Sequence, residues 1–130
     1  MPEPVFSLPP RDNQVVLQGN LAEAPEFRFT PTGRLLASLI LEHFSRHEES
    51  EAQRIELRLT VTALGDLAEW CRTLHPGSVL HVEGRLNQKR WIRDGRIRWG
   101  QTELLAAHIR LLQEGAGAAQ QSDTIADQAE

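Results

Sequence analysis

The sequence predicts an all-β domain with one short helix, folded as a five-stranded Greek-key barrel. Three segments alternate apolar and polar residues, as strands with one buried face do. A short amphipathic segment follows, and after it come two strand-like segments joined by a basic turn. Together they occupy residues 13–112 of the 130-residue chain, which is enough for one domain with a modest core.

The first two strands are predicted from alternation on either side of a turn. The alternating positions are Val15, Leu17, Gly19 and Leu21, followed by Ala37, Leu39 and Leu41. Between the two segments, Pro31-Thr32-Gly33 combines residue types that favour a tight turn. Each segment therefore presents one apolar face to a common core.

The third strand shows the longest alternation, and a helix is predicted directly after it. The apolar face of the strand is Ile55, Leu57, Leu59, Val61 and Ala63. Asp66 is the expected N-cap of the helix, and His75-Pro76-Gly77 is expected to end it. The spacing of Leu67, Cys71 and Leu74 predicts the buried face of this helix, with Trp70 as a packing residue.

A fourth strand is predicted over residues 78–86 and a fifth over about 102–112. Three strands, a helix and two more strands follow the order of an OB-fold, a small Greek-key barrel. OB-folds bind oligonucleotides or oligosaccharides with the face of strands 2 and 3 and the loops between strands 1–2 and 4–5. A ligand groove is therefore expected near the segment that joins the fourth and fifth strands.

Both ends of the chain differ in composition from this core. Residues 1–12 contain four prolines, which favour an extended, disordered leader. Residues 113–130 hold four acidic residues but no basic or aromatic one, so they cannot bury enough apolar area to offset the entropy of ordering. We expect a disordered acidic tail there.

Positive charge is concentrated in one segment, residues 85–99, called here the basic hairpin. The whole chain carries a formal net charge of −4, whereas the basic hairpin holds six cations and one acid, a net charge of +5. Its cations are Arg85, Lys89, Arg90, Arg93, Arg96 and Arg98. Like charges this close repel one another when no anion is present, which indicates an anionic ligand.

Asp94-Gly95 predicts a two-residue turn at the tip of the basic hairpin. Pairing of Arg93 with Arg96 then places Trp91 opposite Arg98 and Lys89 opposite Gly100. Because side chains alternate between the two faces of a strand, one face would carry Lys89, Trp91, Arg93, Arg96 and Arg98. The other face would carry Arg90, Ile92, Ile97 and Trp99.

An indole among four cations is the chemistry that single-stranded nucleic acid requires, because bases stack on the ring while the cations neutralise phosphates. The candidate nucleic-acid-binding residues are Arg58, Lys89, Arg90, Trp91, Arg93, Arg96, Arg98 and Trp99. Arg58 could contact a phosphate or pair with Glu56 or a cross-strand acid. The alternative for the whole segment is a solvated basic face without a ligand.

Other chemistries have weaker support in the sequence. Cys71 is the sole cysteine, and its spacing favours a buried small side chain over a nucleophile. A metal site would have to use His43, His47, Glu48, Glu49 and Glu51, a charged stretch that is more typical of a solvated loop. No catalytic motif is recognisable, so neither an enzyme nor a cofactor is expected. With no apolar run of spanning length and no signal peptide, we expect a cytoplasmic protein without membrane contact.

Several segments resemble the bacterial single-stranded-DNA-binding protein family. Gln14–Leu21, Ala24–Glu26 and Thr32-Gly33 look like the opening of these proteins. Leu39–Ser45 is similar to the Leu-Glu-His segment of a relative in that family, primosomal replication protein N. Three further segments resemble the helix and fourth strand of the single-stranded-DNA-binding proteins, namely Leu67–Glu69, Gly77–Val79 and Val82–Leu86.

The resemblance to primosomal replication protein N implies a homodimer of OB-folds that binds single-stranded DNA and assists a restart helicase and a loader protein in primosome assembly. A general single-stranded-DNA-binding protein is the alternative, and an OB-fold adaptor that binds protein instead of nucleic acid is a third. At the start of the third strand this chain has Ile55 where the family would have an aromatic residue. The stacking role is therefore expected to lie with Trp91, and the binding surface to centre on the basic hairpin.

Overall fold

The computed structural model describes residues 11–47 and 50–115, and it shows mostly strands with one short α-helix. The elements in chain order are β1 (Val15–Leu21), β2 (Glu26–Phe29), β3 (Leu35–His47), β4 (Ser50–Leu64), α1 (Asp66–Trp70), β5 (Val79–Arg93) and β6 (Arg96–Gln113). Most of the expected leader and tail therefore lies outside the described residues.

Five of the strands close a ring in the order β1, β5, β6, β4, β3 and back to β1. Neighbouring strands are antiparallel except β4 and β6, which run parallel. The closing contact between β1 and β3 is short, since it joins only Asn20 to Glu42 and Leu21 to Leu41. The predicted five-stranded barrel with one helix is confirmed.

Alternate positions of the strands fill the barrel interior, as a period of two residues requires. The strand residues that are at most 1% exposed are Leu21, Ala37, Leu39, Leu41, Val61, Ala63, Leu80, Val82 and Leu104. Ala68 and Cys71, from the helical segment, join the same cluster. Because inner and outer positions alternate, the intervening residues of β3 and β4, such as Ser38 and Thr60, face outward and form a polar outer face.

The short strand β2 was not predicted from the sequence. It forms a hairpin with β3 across the predicted turn at Pro31–Gly33, with Phe27 opposite Ala37 and Phe29 opposite Leu35. A four-residue strand shows too few alternations to be recognised, and only Phe27 packs against the core, while Phe29 is exposed. The strand widens the outer face beside β3.

The predicted helix is shorter than expected, and its N-cap was wrong. Gly65, with φ of 64°, occupies the N-cap position instead of Asp66. The α-helix ends at Trp70 and gives way to a single 3₁₀ turn before His75. The Thr73 hydroxyl donates a hydrogen bond of 2.8 Å to the Trp70 carbonyl, which in a longer helix would accept from Leu74; such local bonding competes with helix extension.

The burial of Cys71 in the barrel core has a testable consequence. Desolvation raises the pKa of its thiol from 9.0 to about 11, so the folded protein holds little thiolate at neutral pH. The folded-state pKa lies above the unfolded value. The contribution of the protonated thiol to the stability of the fold is therefore complete below about pH 9 and is lost as the pH rises through the folded-state pKa. We expect iodoacetamide at pH 8 to modify the urea-unfolded chain quickly and the native protein only slowly. Equal rates would contradict the buried position.

Gly84 lies at an irregularity in the pairing of β5 with β6. A Cβ atom there would be 2.0 Å from the Leu105 carbonyl oxygen, so the backbones would have to separate. We expect Gly84→Ala to lower the free energy of unfolding by about 3 kcal/mol, near the upper end for overpacking, as measured by urea denaturation. Gly33→Ala serves as the control, because nothing lies within 4 Å of the added carbon and only the positive φ of 87° opposes alanine there, at a cost of about 1–2 kcal/mol. An equal loss in both variants would contradict the steric explanation.

Two contacts tie the ends of the described domain to the barrel. The Asn13 side chain donates to the Leu86 carbonyl oxygen and accepts from the Leu86 N–H, both at 2.9 Å. At the other end, Gly115 is buried and its N–H donates to the Ser78 hydroxyl at 3.1 Å. Ordered packing therefore continues into the first three residues of the segment that was expected to be a disordered tail.

Candidate nucleic-acid interface

The basic hairpin is the extension of β5 and β6 beyond the barrel, and its turn lies where the sequence predicts it. Asp94 and Gly95 have φ angles of 54° and 73°, the two positive values of a type I′ turn that matches the twist of the strands. The cross-strand pairs behind the turn are Arg93 with Arg96, Ile92 with Ile97, Trp91 with Arg98 and Arg90 with Trp99. The predicted register is confirmed over these four pairs.

Lys89 departs from that register. Gln88 pairs with Thr102 and Arg90 with Trp99, so Lys89 alone stands opposite both Gly100 and Gln101. The predicted pairing of Lys89 with Gly100 is therefore wrong, because an extra residue in β6 forms a β-bulge there. Bulges increase local twist and redirect side chains, and Lys89 borders one depression together with Trp91.

The register divides the candidate residues between two faces. The first, called here the stacking face, carries Lys89, Trp91, Arg93, Arg96 and Arg98. All five are exposed, and the Trp91 indole is 50% accessible. Among the side chains that the structure describes, those of residues 11–46 and 54–115, no carboxylate comes within ion-pair distance of these four cations. Their charge is thus available to an external anion.

The opposite side of the basic hairpin, called here the reverse face, is mainly apolar. It carries Ile92, Ile97 and Trp99, exposed by 76%, 51% and 61%. The guanidinium of Arg90 lies 6.0 Å from the centroid of the Trp99 ring, at the outer limit for a cation–π contact. Arg90 and Trp99 therefore cannot act on the same side of the hairpin as Trp91.

Three surface depressions continue from the stacking face across the polar outer face of the barrel. The one at the hairpin has a volume of about 260 Å³, and the two over β3 and β4 have about 450 Å³ each. Thr60 borders all three, and Lys89 borders two of them. Together they form a groove from Trp91 to Phe27 and Arg28 on β2.

Arg58 lies on the same outer face but is not free. Its guanidinium contacts Glu42 at 2.7 Å and Glu23 at 3.0 Å, while Glu56 pairs with Arg54 at 3.2 Å. Of the two roles left open by the sequence, the structure shows pairing with the cross-strand acid. Exposed ion pairs of this kind contribute little to the stability of the fold, so a phosphate could still compete with the two glutamates for Arg58.

Phe44 was missed as a candidate site residue. It is 59% exposed and pairs with Glu56 across β3 and β4, next to the Glu42–Arg58 pair. Its position two residues beyond Glu42 puts it on the outer face, where an aromatic ring can stack on a base. Its place in the sequence, after the last buried leucine of β3, was the available signal.

The described residues offer little support for a metal site or a membrane span. Among the side chains of residues 11–46 and 54–115, which the structure describes, no three His, Cys, Asp or Glu gather as metal ligands do. The candidate ligands His47, Glu48, Glu49 and Glu51 lie outside these side chains. The imidazole of His43 bonds to the Gln18 carbonyl oxygen at 2.7 Å and to the Ser45 hydroxyl at 2.9 Å. In the described part of the chain, no helix is long and apolar enough to cross a membrane.

A model for a family described as another single-strand binding protein family matches residues 13–96. The chain belongs to this family. A single-stranded DNA-binding protein of Thermus thermophilus is 40% identical to the chain over 108 residues, which is 83% of this chain and 40% of that protein. Replication restart protein PriB of Nitrosomonas europaea is 30% identical over 89 residues, covering 68% of this chain and 81% of that protein.

A solved structure supports the same family assignment. The crystal structure of the wild-type single-stranded DNA-binding protein from Thermus aquaticus superposes with a TM-score of 0.67 at 32% identity, covering 78% of this chain and 50% of that one. This neighbour agrees with the OB-fold that the strand order predicts. The chain spans about two fifths of the length of the Thermus relatives it matches.

Proposed function

We propose that the protein binds single-stranded DNA along the stacking face and the adjoining groove. The observation that carries this proposal is the exposed Trp91 indole on one face with four cations that lack a carboxylate partner within the described residues. Membership of the single-strand binding protein family supports it.

Each part of this surface has a separate role in binding. The cations Lys89, Arg93, Arg96 and Arg98 neutralise phosphates and release counterions, which contributes affinity without regard to sequence. The Trp91 ring stacks on a base, and Phe44 offers a second ring at the far side of the outer face. Arg58 lies between these rings and adds a phosphate contact once Glu42 and Glu23 give way.

The reverse face has a smaller part in this arrangement. Arg90 and Trp99 point away from the groove, so a strand that follows the groove does not reach them. They would contact DNA only where a longer strand passes around the tip of the hairpin. This makes Trp99 a matched control for Trp91, since both indoles are exposed on the same pair of strands.

Within the family, we infer that the chain acts in replication restart as a homodimer that works with a restart helicase and a loader protein. The relationship to the Nitrosomonas PriB supports this assignment, as does the Leu-Glu-His segment at Leu41–His43. Two copies of the basic hairpin related by two-fold symmetry would bind one strand with raised effective concentration. A general single-stranded-DNA-binding role is the other assignment that the relatives support.

Tryptophan fluorescence tests the proposal directly. We would titrate the protein with oligothymidylates of increasing length at low and moderate salt and determine its molar mass by light scattering in the same samples. Quenching on short strands by a dimer supports the restart assignment, whereas saturation only on long strands by a tetramer supports the general one. No binding at either salt would overturn both and favour a protein-binding adaptor.

A further inference from the structure

The depression at the foot of the basic hairpin, called here the base recess, has features beyond a general phosphate-binding surface. Its volume is about 260 Å³, and its lining residues are Thr60, Lys89, Trp91, Gly100, Gln101 and Glu103. It therefore combines an aromatic wall, a cation at the rim, neutral polar groups and a carboxylate. A groove that only tracks phosphates has no use for a carboxylate, because the two anions repel each other.

Gly100 determines how Trp91 is seated at this recess. A Cβ atom on Gly100 would lie 2.8 Å from Cζ3 of the indole, closer than two carbons can approach without movement. The absence of a side chain thus lets the ring lie against the backbone of β6. The indole, half exposed, forms a wall on which a base in the recess can stack.

Glu103 places hydrogen-bond acceptors in the same recess. The residue is only 5% exposed, and its carboxylate is held by two neutral donors, the Thr62 hydroxyl at 2.5 Å and the Asn87 amide at 3.0 Å. No cation of the described residues forms an ion pair with it. An ionised carboxylate only accepts hydrogen bonds and has about four acceptor positions, so acceptor capacity remains for a ligand.

We propose that the base recess takes one nucleobase that bears an exocyclic amino group, stacked on Trp91 and donating to Glu103. Cytosine, adenine and guanine bear such an amino group, whereas thymine has none and presents a carbonyl oxygen where cytosine has its amino group. Lys89, at the rim, neutralises the adjoining phosphate. This inference rests on the proposed single-stranded DNA binding and adds a base preference to it.

The test compares two strands of equal length and charge, an oligothymidylate of about 15 nucleotides and a strand in which thymine alternates with cytosine. The measured quantity is the ratio of the two dissociation constants, for wild type and for Glu103→Gln. The ratio cancels the general gain in affinity that follows from removing a negative charge. Glutamine can still accept from Thr62, and the Asn87 amide can rotate to accept from the new N–H.

We expect wild type to favour the cytosine-containing strand and Glu103→Gln to reduce that preference about tenfold, the size of one good base-edge contact. Gly100→Ala provides a second variant, because displacing the indole should reduce the same ratio. Far-UV circular dichroism and urea midpoints check the fold of both. If wild type binds both strands but neither variant changes the ratio, the base recess is overturned while DNA binding stands. If wild type binds neither strand, the proposed function fails as well.

Discussion

Trp91→Ala is expected to weaken the binding of single-stranded DNA by about 1–3 kcal/mol, or about 5- to 150-fold, the range measured for base–aromatic stacking. The indole is half exposed and lies outside the buried core cluster, so its removal should leave the barrel intact. Fluorescence anisotropy of a labelled oligothymidylate at low salt measures the loss, since it needs no tryptophan signal.

Trp99→Ala is the matched control for this prediction. It removes an equally large, similarly exposed ring from the same hairpin, but from the reverse face. We expect a loss of affinity well below that of Trp91→Ala on strands short enough to occupy only the groove. Equal losses would show that DNA passes around both faces, and an unchanged affinity in Trp91→Ala would place stacking elsewhere, with Phe44 as the next candidate.

The turn of the basic hairpin could be predicted because its determinants are local. Asp94-Gly95 is a dipeptide that tolerates two positive φ angles, and a two-residue turn fixes which residues pair behind it. The division of Trp91 and Trp99 between two faces follows from that register alone. Core positions such as Leu39 and Val61 follow from alternation in the same way.

The features that could not be predicted depend on residues distant in the chain. Arg58 is paired with Glu23, which lies 35 positions away in sequence, between β1 and β2, and meets it only in the folded barrel. Glu103 is buried beside Thr62, from another strand, whose hydroxyl donates to its carboxylate. The β-bulge at Lys89 belongs to the pairing of β5 with β6, and no local motif in either strand marks it.

The groove depends both on local sequence patterns and on contacts between residues distant in the chain. Period-two alternation placed Thr60 on the polar face of its strand, but only the parallel pairing of β4 with β6 brings it beside the hairpin. Trp91 and Lys89 come from the hairpin, whose composition alone identified it. The basic hairpin was therefore predictable as a surface, whereas its connection to the barrel face required the fold.

Removing the four cations of the stacking face should strongly change how the affinity for single-stranded DNA depends on salt concentration. In the variant with Lys89, Arg93, Arg96 and Arg98 all replaced by glutamine, affinity at low salt should fall steeply. The slope of log K against log salt should flatten by about 0.7 for each phosphate that is no longer neutralised, which is about 3 for four phosphates of a single strand. Titrations at several salt concentrations measure the slope.

A second variant separates this local effect from net charge. Replacing Arg11, Arg34, Arg72 and Arg110, all exposed and all outside the basic hairpin, by glutamine removes the same number of charges. Salt screens the interactions of exposed charges beyond about 10 Å. We therefore expect this control variant to keep nearly the wild-type slope. Similar flattening in both variants would mean that overall charge governs binding, whereas an unaltered slope in the stacking-face variant would place the phosphate contacts outside the hairpin, with Arg28 and Arg58 along the groove as the remaining cations.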